Sequence, residues 1–514
     1  MILTDPKKES KSIMTKIIKK TPTGACSYIE SDERTGTVTA ERDFPGIFPV
    51  YYTVTDTGCF CGYSIRSVLK SSGIRREIDP DALGLYLTFS CLPGNRTFFK
   101  NVKKLMPGCI LTYKGKKLSI KQVYNFDTKK KISGINKTAT ETAVRLSVED
   151  AIRKCHANAA FLSSGIDSSI LTRLGNVSDT YTIDYDEEQF SEANAAEAFS
   201  KAIGASHHRL NISYKDYFES IPECSLHLEQ PVGDCSYPVY YLLCKMAAKN
   251  NRVIFSGEGS DELFFGYLLS DYLKFGWYEK FPIAIRKKLP ELFGGLHPTL
   301  NRFLKFHDGD PFDGYRGPVT VYTDIEKKEL LKDYHGENVL RELLYELNDG
   351  ISDLPVEERI YYFNIREWLE ADILTGAVKL SSAAGLDVLM PFLDRNVINI
   401  ANTIPVKYQL HGSETKHMLR EAFKDILPDH IVHAKKKGFP VPVAAWMKNP
   451  DVISDIRAVL NCPEAEQYFN KEMVSNMLDR FIGSPDDNWL WRKIWLLYSF
   501  VVWVKSASLH LSSE

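Results

Sequence analysis

The 514-residue chain has no excess of charge of either sign: 64 Lys and Arg stand against 66 Asp and Glu, a formal net charge of −2. That balance gives no electrostatic reason to bind nucleic acid or an anionic membrane. The Lys-rich pieces, Lys7 to Lys20 and Lys129 to Lys131, read as a solvated terminus and a linker. Long hydrophobic runs are also missing. Ile494 to Val504 is apolar, but it has about half the length that a bilayer crossing needs and reads as a buried C-terminal helix. The N-terminus shows no apolar signal-peptide core. Ten cysteines are scattered without the four-ligand spacing of a zinc site, and only Cys59 and Cys61 stand close together. Buried free thiols in a reducing cytoplasm are the expectation. The Gly-Lys-Ser/Thr ending of kinase-like phosphate loops does not occur in the phosphate-loop candidate described below.

What is present is an ordinary globular composition, 44% apolar and 12% aromatic, in a chain long enough for two or more cores. Residues 24 to 125 contain short strand-like runs (Ser27 to Ile29, Gly36 to Thr39, Val50 to Val54, Cys109 to Tyr113) separated by turns such as Glu33 to Gly36 and Lys114 to Lys116. Hairpins are expected there. Lys129 to Lys137 reads as a basic linker. From Thr138 to about Val253, strand and helix patterns alternate, which predicts a parallel sheet with helices on both faces. After Phe265 the chain turns to long, aromatic-rich helical segments such as Glu357 to Leu374.

Two segments carry chemistry. The apolar run Ala159 to Leu162 stops at the small residues Ser163-Ser164-Gly165, and a helix is predicted from near Ser168. Small side chains let backbone N–H groups approach an anion, and a helix N-terminus adds partial positive charge. Asp167 cannot attract phosphate itself, but it fits an anion cradle if it holds a bridging divalent metal. An ordinary strand–turn–helix would account for this segment taken alone. The second segment, Ser256-Gly257-Glu258-Gly259-Ser260-Asp261-Glu262, follows the buried strand Val253 to Phe255. Three carboxylates within five residues are costly unless a metal or a proton-transfer role compensates them.

Together these segments resemble the glutamine-hydrolysing asparagine synthetase family of type B. Ser163 to Ser168 look like its pyrophosphate loop, with Ser164 replacing the first glycine, and Gly257 to Phe264 look like its Gly-Glu-Gly-Ala/Ser-Asp-Glu-Leu-Phe run. Further matches follow in the family's order: Ser206-His207-His208; Glu229-Gln230-Pro231 with Asp234 and Ser236; Pro391 to Asp394; and Lys436-Lys437-Gly438-Phe439 with Pro442 and Trp446. The resemblance covers roughly residues 20 to 505. It implies an adenine nucleotide α-hydrolase-like α/β domain over 136–514. It also implies a smaller, mostly β domain over 1–127, like the later part of an Ntn-hydrolase glutaminase. Gly24 to Cys26, Asp32 and Glu41 to Gly46 match the later glutaminase strands, while Met1 is followed by Ile2 rather than a catalytic cysteine. A truncated, inactive glutaminase is the expectation, unless an upstream piece or a partner supplies that activity.

The implied reaction activates a carboxylate as an acyl-adenylate, releasing pyrophosphate, and then joins it to ammonia or an amine. Its implied cofactors are ATP as substrate and Mg²⁺. Leu162, Ser163, Ser164, Gly165, Asp167, Ser168, Ile183, Ser256 and Gly257 match ATP-binding positions, Asp167 and Asp261 the metal ligands, and Glu258 and Lys436 the catalytic positions. Lys435 and Lys437 flank Lys436, leaving that assignment open by one residue. Glu258 stands where related β-lactam synthetases carry Tyr. The acyl side departs from the family: Gly376, Val378, Lys379 and Leu389 replace a Lys, an Asp and two Arg positions. A lost charged group changes which carboxylate a site can hold, so a modified or peptidic carboxylate competes with aspartate. A macrolactam synthetase of the lasso-peptide kind and a nucleotide-binding pseudoenzyme are the rival readings. A partner protein or a homodimer is left open.

Overall fold

The computed structural model describes residues 14–125, 135–267, 281–286, 288–289, 321–334, 336–351, 353–412, 414–434, 438–483 and 490–511. Residues 7–13 of the Lys-rich terminus, most of the predicted basic linker and the triplet Lys435 to Lys437 therefore lie outside the described residues, while Met14–Lys20, read from sequence as part of a solvated terminus, form a strand paired with Cys26–Asp32. The fold divides into two compact units: residues up to Ile78 with Asn95–Asn125, and Asp79–Gly94 with the chain from Phe126 onward.

The first unit is built from antiparallel strands. β1 (Met14–Lys20), β2 (Cys26–Asp32), β3 (Thr37–Glu41), β7 (Cys109–Lys114) and β8 (Lys117–Gln122) form one sheet in that order. A second sheet runs β5 (Gly58–Gly62), β4 (Tyr51–Thr55), β6 (Lys103–Lys104), with α1 (Ile65–Ser72) following β5. The expected hairpins are present: β2 pairs with β3 and β7 with β8, both antiparallel. Along β7, Cys109, Leu111 and Tyr113 face the core, the period-2 signature of a sheet with one wet side. The Glu41 to Gly46 match is structural here. Asp43 accepts from the Gly46 and Ile47 N–H groups, each at 2.8 Å, and from Ser27 Oγ at 2.8 Å. Buried Arg42 donates to the carbonyls of Leu105 at 2.8 Å and Gly46 at 2.9 Å.

The second unit carries α2 (Pro80–Phe89) and, after it, the alternating pattern predicted from Thr138: α3 (Lys137–Lys154), β9 (Ala159–Phe161), α4 (Ile166–Leu174), β10 (Asp179–Asp184), α5 (Ala193–Ala202), β11 (Ser206–Asn211), α6 (Tyr214–Leu228), α7 (Tyr237–Ala247) and β12 (Val253–Phe255). With β13 (Asp387–Leu389) they form a five-stranded sheet in the order β11-β10-β9-β12-β13, parallel throughout. Thr180 to Ile183 of β10 are buried in succession, as expected of a strand covered on both faces. If the crossovers are right-handed, as parallel strand connections are by rule, this strand order puts α4 and α5 on one face and the return connection, with α6 and α7, on the other. Ile494 to Val504 lies within the helix Leu490–Leu511 and is buried, as the sequence predicts. None of the described helices is long and apolar enough to cross a membrane.

Candidate active site

The strand order reverses between β9 and β12, and in open parallel sheets the crevice outside the carboxyl ends of such strands is where ligands bind. Both chemistry-bearing segments lie there, one after each strand. After β9, the Ser163 N–H donates to Ser168 Oγ at 3.1 Å and the Gly165 N–H to Ser163 Oγ at 3.1 Å, folding the small residues into a tight turn. α4 starts at Ile166, two residues before the predicted position, because the extended backbone of Gly165 serves as the N-cap. Gly165 offers no side chain to satisfy the first N–H groups, so they stay available to an anion.

After β12, Gly257 lies so close to the first loop that a Cβ there would stand 3.2 Å from Asp167 Cβ. Gly259 adopts φ +88°, and a Cβ on it would be 2.3 Å from Leu393 Cδ2. The short helix α8 (Ser260–Leu263) follows, and Ser260 Oγ donates to Asp167 Oδ1 at 2.5 Å. The two loops thus interlock at Asp167, which the sequence reading assigned to both nucleotide and metal.

Asp167 and Asp261 do converge, and a lysine joins them. Lys416, only 2% exposed, pairs with Asp167 Oδ2 and stands 2.7 Å from Asp261 Oδ1. Its backbone takes the left-handed region at φ +57°, unusual for a residue with a Cβ. Gly266 packs behind it: a Cβ there would lie 2.2 Å from Lys416 Cε. Arg420, one turn on, is buried and donates to the carbonyls of Thr415 at 2.7 Å and Ala434 at 3.1 Å, and to that of Val432. It ties the Lys416 turn to the chain just before Lys435.

A cavity of about 330 Å³ opens over these loops. Its lining includes Leu162, Ser163, Asp167, Ser168, Ile183, Ser256 and Gly257, together with Glu258 and Asp261. Ser164 and Gly165 do not line it, and Ser164 Oγ is instead held by Glu192 Oε1 at 2.7 Å. Lys436 lies outside the described residues, although Gly438, Phe439 and Pro440 reach the cavity. That segment is anchored further along by Trp446, whose Nε1 donates to Glu187 Oε1 at 2.8 Å while its ring packs against Tyr185 and Tyr217.

The lining also includes Tyr237, Tyr240, Trp368, Ile373 and Ala377. Trp368 and Ile373 come from a π-helical stretch, Asn364–Leu374, within the predicted aromatic-rich segment. Tyr237 donates to Asp372 Oδ1 at 2.6 Å. Burial, then the nearby Asp234 charge, push the Asp372 carboxyl well above the usual range. Gly376 makes room for Tyr237, since a Cβ on it would lie 2.2 Å from Tyr237 Cε1. The Lys379 ammonium is used elsewhere, donating to Leu228 O at 2.8 Å and Glu229 Oε2 at 3.0 Å. Burial and the Asp261 charge push Glu262 up to about 8, and Tyr267 donates to it. Ser256 Oγ donates to Glu258 Oε1 at 3.3 Å.

Sequence reasoning missed Lys416 and Tyr237. Lys416 sits in Glu414-Thr415-Lys416-His417, where no glycine or acid cluster marks the spot, and only the fold brings it to Asp167. Comparison with known proteins agrees with the geometry. The family profile described as asparagine synthase matches residues 139–505, and the one described as a glutamine amidotransferase domain matches 17–125. The chain belongs to the asparagine synthase family. Asparagine synthetase [glutamine-hydrolyzing] 1 of Bacillus subtilis is 29% identical over 472 residues, covering 90% of this chain and 74% of that protein. A putative asparagine synthetase [glutamine-hydrolyzing] of Mycobacterium tuberculosis is 27% identical over 490 residues, covering 91% and 74% respectively. More distant is the amidase chyE of Penicillium rubens, 22% identical over 494 residues, or 83% and 71%. Membership in the asparagine synthase family makes the chain an ATP-dependent ligase of the amide-forming type.

Proposed function

We propose that the chain activates a carboxylate as an acyl-adenylate in the crevice between β9 and β12 and then passes it to ammonia or an amine. The observation that carries this reading is the interlock of the two loops, with Asp167 and Asp261 converging on one cation at the open end of α4. The N–H groups of that helix end and the hydroxyls of Ser163 and Ser168 bind the departing pyrophosphate. Leu162, Ile183, Ser256 and Gly257 receive the adenosine, Gly257 because its missing side chain lets backbone and ligand approach. In this reading the second unit has the adenine nucleotide α-hydrolase-like fold.

The family implies Mg²⁺, and the donor set fits it: two carboxylates, the hard oxygen donors that Mg²⁺ takes, converge on one point and carry more negative charge than the single ammonium offsets. Asp167 and Asp261 would hold the ion, which when bound supplies positive charge against that developing on the leaving group. Lys416 contributes a fixed positive charge at the same place. Glu258, which lines the cavity, takes the proton from the attacking nitrogen. Lys436 stabilises the pentavalent phosphorus and the tetrahedral carbon.

On the acyl side, Tyr237 fills the space that Gly376 leaves, and its phenol donates to an Asp372 carboxyl that burial pushes well above the usual range. An aromatic wall there, with the Asp234 carboxylate beside it and no cation in the described lining, favours a carboxylate with an apolar or amide-bearing body over a compact dianion.

The test is an ATP–pyrophosphate exchange screen across amino-acid and N-acyl or peptidic carboxylates, run with wild type and Glu258→Gln. Wild type should exchange with at least one carboxylate. Glu258→Gln should retain exchange while amide release falls about 10²- to 10⁴-fold, the usual cost of losing a general base. Equal loss of both steps would remove Glu258 from the proton-transfer role.

A further inference from the structure

Next to Lys416 lies a cluster that the proposed reaction does not use and none of whose residues lines the cavity. His411, Glu414 and His417 each present one donor atom, and these atoms all lie within 4.8 Å of one another. His417 Nδ1 is 3.1 Å from Glu414 Oε2, and His433 Nδ1 is 3.2 Å from the other oxygen, Glu414 Oε1. The His411 and His417 rings face each other with centroids 4.9 Å apart. The carrying turn is closed by paired backbone bonds, His411 N–H to Glu414 O and Glu414 N–H to His411 O, both at 3.0 Å.

We propose that His411, Glu414 and His417 form a binding site for a divalent transition-metal ion of the zinc class, with His433 as the outer partner that orients Glu414. Two imidazoles and a carboxylate are the donor set such ions take, with bonds of about 2.0 to 2.2 Å. Donors around a tetrahedral ion at that range stand about 3.3 Å apart, close to the spacing already held between His417 and Glu414. Mg²⁺ prefers oxygen donors throughout, so this site does not duplicate the carboxylate pair at Asp167 and Asp261. The ion would hold only three protein ligands and leave a fourth position to water. His433 then acts as hydrogen-bonding partners of metal ligands do, fixing the carboxylate that binds the ion.

The placement gives the site a consequence. Glu414 and His417 flank Thr415 and Lys416, and Lys416 holds a left-handed backbone while its ammonium joins Asp167 and Asp261. An ion bound by residues on both sides of that pair clamps the turn, so occupancy fixes the position of the lysine without touching the substrate cavity.

The experiment uses the full chain stripped with a chelator and titrated with Co²⁺ as a spectroscopic probe and with Zn²⁺ as competitor. Expected are one equivalent of Co²⁺ with tetrahedral ligand-field bands, displaced by Zn²⁺, and loss of the bands in His417→Ala and in the milder Glu414→Gln. His433→Ala should weaken binding about 10- to 100-fold, as removing an outer partner does. Asp167→Asn should keep the bands. Zn²⁺ should also slow amide hydrogen exchange across residues 414–420 in wild type and not in His417→Ala. Absence of the bands, their survival in both ligand variants, or their loss in Asp167→Asn would overturn the site. Bands without slower exchange at 414–420 would overturn the clamp.

Discussion

Replacing Lys416 with Met tests how the centre is held together. The side chain is 2% exposed and its ammonium serves both Asp167 and Asp261, so the substitution keeps length and apolar stem but leaves two carboxylates facing each other. Leaving a buried charge without its partner costs about 3–5 kcal/mol. Two like charges some 4 Å apart repel by about 4 kcal/mol at an effective dielectric of 20, which places the same bound on the penalty. Part of it is relieved by proton uptake and part by any cation that takes the vacated place. In urea denaturation without divalent ions, Lys416→Met should therefore unfold at a clearly lower midpoint than wild type. Adding Mg²⁺ should restore part of the loss, since saturation at 100 times Kd contributes about 2.7 kcal/mol. Wild type should gain less, because its ammonium already offsets part of the repulsion that Mg²⁺ relieves. A Lys416→Met chain with the wild-type midpoint, or one indifferent to Mg²⁺, would refute the idea that Lys416 neutralises a cation-binding pair.

Three further outcomes are expected. Asp167→Asn and Asp261→Asn should each cut pyrophosphate release by about a hundredfold or more, the scale of one metal-stabilised charge; near-wild-type release from both would remove the proposed centre. Glu262 makes stability depend on pH. Folded, it keeps its proton up to about 8, above its unfolded value, so its contribution is full at pH 4 and is lost as pH rises towards 8. Glu262→Gln should flatten that decline in denaturation midpoints measured between pH 5 and 8. Finally, Gly376→Ala should destabilise by about 1–3 kcal/mol through overpacking against Tyr237, and Tyr237→Leu in the same chain should recover part of the loss in thermal unfolding.

The parts of the fold that sequence exposed were those whose signal is local. Alternating apolar runs with turn residues marked the hairpins of the first unit, and the strand–helix alternation after Thr138 marked the parallel sheet. The small-residue loop after β9 and the Gly–acid loop after β12 were legible because backbone approach and crowded charge leave compositional traces. What stayed hidden depends on contacts distant in sequence. Nothing in the neighbourhood of Lys416 says that it meets an aspartate 249 residues earlier. Gly376 was visible as a departure from the family, but not that the ring of Tyr237 occupies the room it leaves. Two residues from matched segments make structural contacts. His208 pairs with Asp179 at 2.8 Å, and Asp394 Oδ1 caps the helix Arg395–Ala401 through the Asn396 N–H at 2.8 Å. A motif reports that a position is constrained without saying whether chemistry or packing constrains it.

The indole of Trp446 fastened to Glu187 has a consequence for how the protein is made. The cavity draws its walls from Phe161 through Pro440, so a ribosome must release well over two hundred residues between the first wall and the last. During that interval Tyr185 and Tyr217 have no indole to pack against, and the crevice at the strand ends stays open. Closure of a loop that long is slow compared with forming the neighbouring helices. The nascent chain should thus pass through a stage with its sheet formed and its active site unbuilt, and that stage is where a chaperone or a protease would meet it.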